Sequence, residues 1–258
     1  EQIEACGLVV HGDGIPVSYD RFRDRIMFPI PSAREKVIAF GGRAMSPDAP
    51  AKYLNSNETE LFHKGNVLFN FARARRASQG ADGAGTIIAV EGYMDVIALQ
   101  QYGITGAVAT LGTASNTEHL NILFKQNSRI TIAFDGDAAG QKAARRTLEI
   151  ALPLLNDGRE LKFFVLPNDH DPDSLIRREG LENFQKLLQQ SPLLSDFVFA
   201  HLTGQHDIST PEGKSLVMGE LRELTELLPK QGSFRYLLNQ SFREKLGLGK
   251  RFTPQISH

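Results

Sequence analysis

Acidic residues recur where the sequence predicts that strands end, and they are the side chains best suited to chemistry. Six acids follow the apolar, strand-like segments 86–90, 129–134 and 161–166: Glu91, Asp95, Asp135, Asp137, Asp171 and Asp173. The carboxyl ends of parallel strands meet at one edge of a sheet, where binding sites form. We therefore expect these six carboxylates to converge on one patch from distant parts of the chain.

Converging carboxylates repel one another, which raises their pKa values, and divalent cations remove that cost. An oxygen-only cluster without His or Cys favours hard ions, so we expect Mg²⁺, with Mn²⁺ as a substitute. Two such ions about 4 Å apart can stabilise the attacking and leaving oxygens of phosphoryl transfer. Each acid also has a structural interpretation: Asp137 and Asp173 could cap helices, Asp135-Gly136-Asp137 could be a turn, and Glu91 could be a buried, hydrogen-bonded acid.

Other kinds of site find little support. The chain has no phosphate-loop motif, no Ser-His-Asp signature and no histidine pair at metal-ligand spacing. Its single cysteine, Cys6, excludes an internal disulfide and a multi-cysteine zinc site and is typical of a cytoplasmic protein. No apolar run is long enough to span a membrane. The chain does not begin with Met, which is typical of a fragment.

Alternating strands and helices in the middle of the chain predict an α/β fold, with parallel strands and crossover helices on both faces. Helices are expected near 94–102, 117–126, 138–155 and 173–190. Short strands are expected at 25–30 and 37–40, followed by a helix over 60–77 and a Gly-rich linker at 79–85. Three more helical patterns, near 192–202, 211–228 and 233–246, predict a helical bundle. The expected division is therefore a mixed α/β part (1–84), a central sheet (85–190) and a helical bundle (191–258).

Charge is unevenly distributed although the net charge is only −1. Residues 21–76 carry eleven Lys and Arg against five acids, whereas residues 85–190 carry ten against thirteen. A basic segment beside an acidic one suits a polyanion held against a metal site. Ordinary variation in surface charge would also give such an imbalance. The charge distribution therefore supports a nucleic-acid-binding function only together with the sequence motifs.

The acidic motifs resemble the toprim fold in the form carried by bacterial replicative primases of the DnaG type. The matching segments are EGYMDV at 91–96, FDGDAAG at 134–140, DPD at 171–173 and LGT at 111–113. Upstream segments resemble the basic N-terminal subdomain of that family: GLVV at 7–10, YDRFRDRIMFPI at 19–30, FGGR at 40–43, KYLNS at 52–56 and FHKG at 62–65. The acids alone are shared with other toprim enzymes, whereas the upstream segments are more specific to primases.

The resemblance implies roles for individual residues. Glu91, Asp135 and Asp137 would be the principal metal-linked, catalytic acids, with Glu91 also a possible proton acceptor. Asp95, Asp171 and Asp173 would complete the metal site. The phosphates of template, primer or nucleotide would lie along a groove that contains four basic residues: Arg21, Arg23, Lys52 and Lys64.

The same resemblance implies a mixed basic subdomain, a toprim sheet and a helical bundle that together make short RNA primers on single-stranded DNA from ribonucleoside triphosphates. The family's zinc-binding domain is expected to be absent, as is the C-terminal domain that binds the replicative helicase. Two alternatives stay open: another toprim enzyme, such as a nuclease or a topoisomerase fragment, and a non-catalytic DNA-binding module with vestigial acids.

Overall fold

The structure is a computed structural model, and it describes residues 2–12, 14–79, 86–111, 115–167 and 169–248. Several features named above lie outside the described residues: Gly112 and Thr113 of the LGT segment, most of the expected linker, and residues 249–258 of the expected helical bundle. The elements come in the order expected from the sequence, with antiparallel strands first, alternating strands and helices next, and helices last.

The first part holds two antiparallel sheets after a short helix, α1 (Gln2–Ala5). One is the pair β1–β2, and the other has the order β3-β4-β5. Their bounds are β1 Val9–Val10, β2 Tyr19–Asp20, β3 Arg25–Pro31, β4 Val37–Ala44 and β5 Tyr53–Asn55. The strands expected at 25–30 and 37–40 are confirmed, and the second extends to Ala44 through Gly41 and Gly42. Gly41 leaves room for the Tyr93 ring, because an added Cβ would lie only 3.0 Å from it.

The prediction of a helix over 60–77 is wrong for the first half of that range. The structure has a 3-10 turn at Lys64–Asn66 and a short helix, α2 (Phe71–Ser78). Between them, the backbone N–H of Phe69 donates to the carbonyl of Ala109, and the N–H of Ala109 donates to the carbonyl of Phe69. Asn70 then adopts a left-handed conformation with φ 65°. Pairing with a distant strand has therefore overridden the local helical pattern.

The central part is a four-stranded parallel sheet of order β7-β6-β8-β9. Its strands are β6 Ile87–Val90, β7 Ala107–Ala109, β8 Arg129–Phe134 and β9 Glu160–Val165. The connecting helices are α3 Tyr93–Gln101, α4 Thr117–Gln126, α5 Ala138–Ala151 and α6 Pro172–Gln189. The helix expected over 138–155 is too long, because α5 gives way to a 3-10 turn at Leu152–Leu154, which contains Pro153.

Helices cover both faces of this sheet, as expected. Ile132 of β8 packs in one core with Leu120 of α4 and Leu148 of α5. Val90 of β6 packs in a second core with Leu99 of α3 and Leu175 of α6. Each of these side chains is nearly inaccessible to solvent, and burial stabilises each by roughly 1.5–3 kcal/mol relative to exposure. These two cores fix the carboxyl edge of the sheet in place.

The last part holds the three expected helices, α7 (Leu194–Thr203), α8 (Pro211–Glu226) and α9 (Phe234–Lys245). Their apolar side chains join the core on the α4–α5 face of the sheet. The Asp157 carboxylate adds a polar tie, because it accepts hydrogen bonds from the backbone N–H groups of Ser233 and Phe234 at the start of α9. Within the described residues, no helix combines the length and apolar character needed to cross a bilayer.

Candidate active site

Five of the six predicted acids line one cavity at the carboxyl edge of the parallel sheet. This cavity, the candidate cleft, has a volume of about 380 Å³. Its acidic side is formed by Glu91, Asp95, Asp135, Asp171 and Asp173. The opposite side comes from the antiparallel sheet and carries Arg43, Lys52, Tyr53 and Asn55. The expected convergence of acids is thus found in the structure, and it faces a basic wall.

The turn from β6 into α3 positions two of the acids. Glu91 follows directly after β6, and Asp95 lies in the first turn of α3, where its carboxylate accepts a hydrogen bond from the Gly92 N–H at 3.2 Å. Asp95 is buried, and burial together with the charges of Asp171 and Asp135 raises its pKa to about 7. Burial and, to a lesser degree, Asp137 raise the pKa of Glu91.

The turn from β8 into α5 positions Asp135 and Asp137 differently. Burial, followed by the charges of Glu91, Asp171 and Asp137, raises the pKa of Asp135 to about 6. Asp137 does not line the cleft, and its carboxylate caps α5 by accepting a hydrogen bond from Gly140 N–H at 2.7 Å. The cap predicted as its structural interpretation is therefore present, while its charge still acts on Glu91 and Asp135.

This turn has no room for side chains at its glycines. A Cβ on Gly136 would lie 1.9 Å from the Pro167 carbonyl oxygen, and one on Gly140 would lie 2.1 Å from the Asp135 carbonyl oxygen. Both contacts are with backbone, which cannot rotate away. The glycines thus allow the close approach that places Asp135 at the sheet edge.

The start of α6 supplies the last two acids. Asp171 caps the helix, with its carboxylate accepting a hydrogen bond from Ser174 N–H at 2.7 Å. Asp173 forms an ion pair with Arg177 one turn later. Both carboxylates keep a place in the cleft lining. The DPD segment therefore serves the fold and the site at once.

The donor set fits a hydrated hard cation better than an enclosed one. Among the described residues, no three His, Cys, Asp or Glu side chains are grouped so that they could hold a metal ion together. Hard ions such as Mg²⁺ commonly use one or two carboxylates and keep waters and phosphates as their other ligands. Oxygen-only donors that raise one another's pKa values match that pattern.

The predicted basic residues do not all lie in the cleft. Lys52 lines it. The guanidinium of Arg21 instead donates to the Asn55 carbonyl at 2.8 and 3.1 Å, and so braces β5. The guanidinium of Arg23 lies 4.8 Å from the centre of the Tyr19 ring. The carbonyl of Lys64, in its 3-10 turn, bonds the His119 ring at 2.9 Å. The structure therefore brings only Lys52 of these four to the cleft lining.

Among the cleft residues that were not predicted as site residues, three lie on the strands of the antiparallel sheet: Arg43, Tyr53 and Asn55. Their only signal was their place in the FGGR and KYLNS segments. Asn55 also links the two sheets, because its side-chain amide donates to the Leu111 carbonyl at 2.8 Å. Leu111 is buried and has φ 61°, a left-handed conformation that is rare for a bulky residue. Asn55 therefore helps to hold the turn after β7 against the cleft.

Comparisons with known proteins agree with this geometry. Three family models match in succession: the N-terminal domain of the DNA primase catalytic core at residues 1–75, the toprim domain at 85–164 and the DnaB-helicase binding domain of primase at 195–251. The expectation that the helicase-binding domain is absent is thus wrong, because its model matches the C-terminal helices. The toprim match implies a divalent metal.

Individual relatives carry the same likeness. The chain is 44% identical to a DNA primase of Escherichia coli over 246 residues, which is 95% of this chain and 41% of that protein. It thus spans about two fifths of the length of the curated relatives it matches.

Among solved structures, it resembles a DNA primase domain from Pseudomonas aeruginosa, with 45% identity, TM-score 0.88 and coverage of 95% of this chain and 75% of that one. It also resembles a DnaG primase catalytic domain bound to single-stranded DNA, with 43% identity, TM-score 0.86 and coverage of 95% and 75%. The acidic edge, the basic wall facing it and these matches along the whole chain lead to one assignment: the chain belongs to the DnaG family of DNA primase catalytic cores.

Proposed function

We propose that this chain is a DNA primase core, a DNA-directed RNA polymerase that makes short RNA primers on single-stranded DNA for replication. The observation that carries this proposal is the candidate cleft, where five carboxylates face Arg43 and Lys52 across one cavity. Carboxylates can coordinate the metal ion that accompanies a nucleoside triphosphate, and Arg and Lys side chains can neutralise the phosphates of a nucleic acid. The likeness to a primase domain that binds single-stranded DNA supports the template class.

The proposed cofactor is Mg²⁺, with Mn²⁺ as a substitute. One or two carboxylates from among Glu91, Asp95, Asp135, Asp171 and Asp173 would bind each ion, water and phosphate oxygens would complete its shell, and Asp137 would contribute charge. When bound, the metal would neutralise charge that develops on the transferring phosphoryl group. Glu91 has a raised pKa, which suits an acceptor for the proton of the attacking 3′-hydroxyl. Arg43 and Lys52 would orient the phosphates of nucleotide or template, and the template bases would select the ribonucleotide.

Arg21, Arg23 and Lys64 have a less direct part in this proposal. Arg21 would act by bracing β5, which carries Tyr53 and Asn55. Arg23 and Lys64 lie outside the cleft lining, where they could contact template beyond the reacting nucleotide. We also propose the three-part organisation 1–84, 85–190 and 191–258, which the three family matches support.

The proposed partners are the replicative helicase, through the helices of residues 191–258, and template, primer and ribonucleoside triphosphates, through the cleft. The match of residues 195–251 to a helicase-binding domain supports the first of these. Zinc would belong to a domain outside this chain. A replication role places the protein in the cytoplasm, at the replication fork.

The decisive experiment is primer synthesis on single-stranded DNA with labelled ribonucleotides and Mg²⁺ or Mn²⁺. The chain would be compared with Asp135→Ala and with a matched control, Glu149→Gln, which neutralises an exposed acid on α5. Short RNA from the parent and the control, reduced about 100-fold or more in Asp135→Ala, is the expected result.

Two other outcomes would replace the proposal. Cleaved DNA without new RNA would identify a nuclease of the same fold. No product from any variant, together with single-strand binding that is equal with and without metal, would identify a binding module.

A further inference from the structure

A second cavity of ligand size lies at the seam between the antiparallel sheet and the parallel sheet. This seam cavity has a volume of about 360 Å³, within the range of small-molecule sites. Its walls come from β3 and β4, from the start of α2 and from α3: Phe28, Pro29, Pro31, Glu35, Val37, Phe69, Asn70, Ala72, Arg73, Ile97 and Gln100. It shares no lining residue with the candidate cleft.

The wall chemistry favours a flat aromatic ring. Phe28 and Phe69 provide aromatic surface, and Pro29, Val37 and Ile97 add apolar contacts. Aromatic rings prefer offset or edge-to-face packing against other rings, which such walls can supply. The ring of a bound ligand would exclude water from a surface that is otherwise only partly covered.

An extended peptide is a poor occupant. β3 is the edge strand of its sheet in the described part of the chain, and an exposed edge can in general accept another strand. Two of its residues, Pro29 and Pro31, lack a backbone N–H, and prolines in sheets place that missing donor on the open edge. The open edge therefore offers too few donors for strand addition, which leaves a small molecule as the better fit.

The rim of the seam cavity favours an anion. Glu35, the one acid of the lining, is held by Arg76 through two hydrogen bonds of 2.6 Å. Arg73 is exposed, and its charge helps to lower the pKa of Glu35, but within the described residues no ion pair or side-chain hydrogen bond holds its guanidinium. Its guanidinium is thus available for a ligand carboxylate, sulfonate or phosphate, each of which it can hold through two parallel hydrogen bonds.

We propose that the seam cavity binds a flat aromatic molecule that carries one anionic group, with the ring between Phe28 and Phe69 and the anion on Arg73. This binding would be separate from template and nucleotide. The bound molecule would still be connected to the candidate cleft through Tyr93, which lines that cleft. The Tyr93 ring packs on both aromatic walls of the seam cavity, with its centre 4.8 Å from that of Phe28 and 5.8 Å from that of Phe69.

The experiment measures binding of 1-naphthoate to the whole chain by fluorescence anisotropy, which is feasible because the sequence has no Trp. The neutral isostere 1-naphthamide tests the anion. Arg73→Gln removes the proposed cation, and Arg75→Gln is the matched control on the same helix. Ile97→Phe fills the cavity, with a melting curve to show that this variant folds.

We expect 1-naphthoate to bind the parent and Arg75→Gln equally. Arg73→Gln should bind it at least about ten-fold more weakly, because glutamine lacks the charge that strengthens the two proposed hydrogen bonds. Ile97→Phe, if folded, should lose most of its affinity for 1-naphthoate. In the parent, the NMR signal of the Ile97 methyl groups should shift when 1-naphthoate is added. Equal affinity in all four proteins, or equal affinity for the amide, would overturn the proposal. Neither readout depends on primer synthesis, so the test stands apart from the proposed function.

Discussion

Asp95 is the cleft acid whose protonation should most affect stability, because it is buried beside Asp171 and Asp135. Its pKa is about 7 in the folded chain, against 3.8 for an ordinary Asp. The folded state therefore binds a proton more tightly than the unfolded state. The resulting destabilisation is absent below the ordinary pKa, grows as pH rises through about 7, and levels off once Asp95 is deprotonated in both states.

We predict that Asp95→Asn raises the melting temperature of the metal-free chain by a few degrees, with a larger gain at pH 8 than at pH 5. Asparagine removes the charge and can still accept the Gly92 hydrogen bond. Thermal melts in a chelator at both pH values would measure this, with Glu149→Gln as control. A gain of the same size at both pH values would contradict the charge argument.

Lys52 belongs to the basic wall, and its proposed role is to neutralise a nucleic-acid phosphate. Each phosphate contact to a single strand adds about 0.7 to the steepness with which log affinity falls against log salt. We predict that Lys52→Gln weakens binding of single-stranded DNA and reduces that slope by about this amount. Arg222→Gln, on an exposed part of α8, should leave the slope unchanged. Equal slopes in the parent and Lys52→Gln would remove Lys52 from the binding groove.

The turn from β8 to α5 is an element where packing strongly restricts the sequence. We predict that Gly136→Ala destabilises the chain by several kcal/mol, because its Cβ would meet backbone at 1.9 Å and the turn must shift. Gly219→Ala is the matched control, because Gly219 lies inside α8 with open space around it. That change should stabilise the chain by about 0.5–1 kcal/mol. Chemical denaturation measures both, and a small cost at Gly136 would refute the steric argument.

At the scale of helices and strands, the sequence predicts the elements themselves better than the contacts between elements that are distant in the chain. The parallel strands and their helices follow from unbroken apolar runs such as 129–134, and the convergence of acids follows from parallel topology. The failure at 60–70 comes from the pairing of Phe69 with Ala109. Arg43, Tyr53 and Asn55 were missed for a similar reason: their place in the cleft depends on how β5 lies against the other sheet, which no local pattern encodes.

The parallel sheet is joined to the rest of the described chain at two seams, one with the antiparallel sheet and one with the C-terminal helices. Towards the C-terminal helices, Asp157 ties the loop before β9 to the start of α9. Bonds from Ser233 and Phe234 lower the pKa of Asp157. The stabilisation from this tie is thus present above the ordinary pKa of Asp and is lost as pH falls below it.

We predict that Asp157→Ala selectively loosens α9, because two backbone N–H groups at its start lose their acceptor. Hydrogen exchange of the α9 amides should become faster in the variant, while the amides of β8 keep their protection. Glu149→Ala, which removes an exposed acid on α5, is the control. Uniform loss of protection over the chain would show that Asp157 supports global stability instead.

The two crowded glycines near Asp135 bear on how a natural or designed relative could vary. A carboxylate can be exchanged for an amide with little change in shape, so losing the charge of Asp135 would leave the turn intact. No side chain can replace hydrogen at Gly136 or Gly140 without moving the backbone that carries the acid. A relative that has lost catalysis would therefore be expected to lose Asp135 before Gly136 and Gly140. A toprim sequence that keeps these two glycines without Asp135 would indicate that the fold is retained and the activity is not.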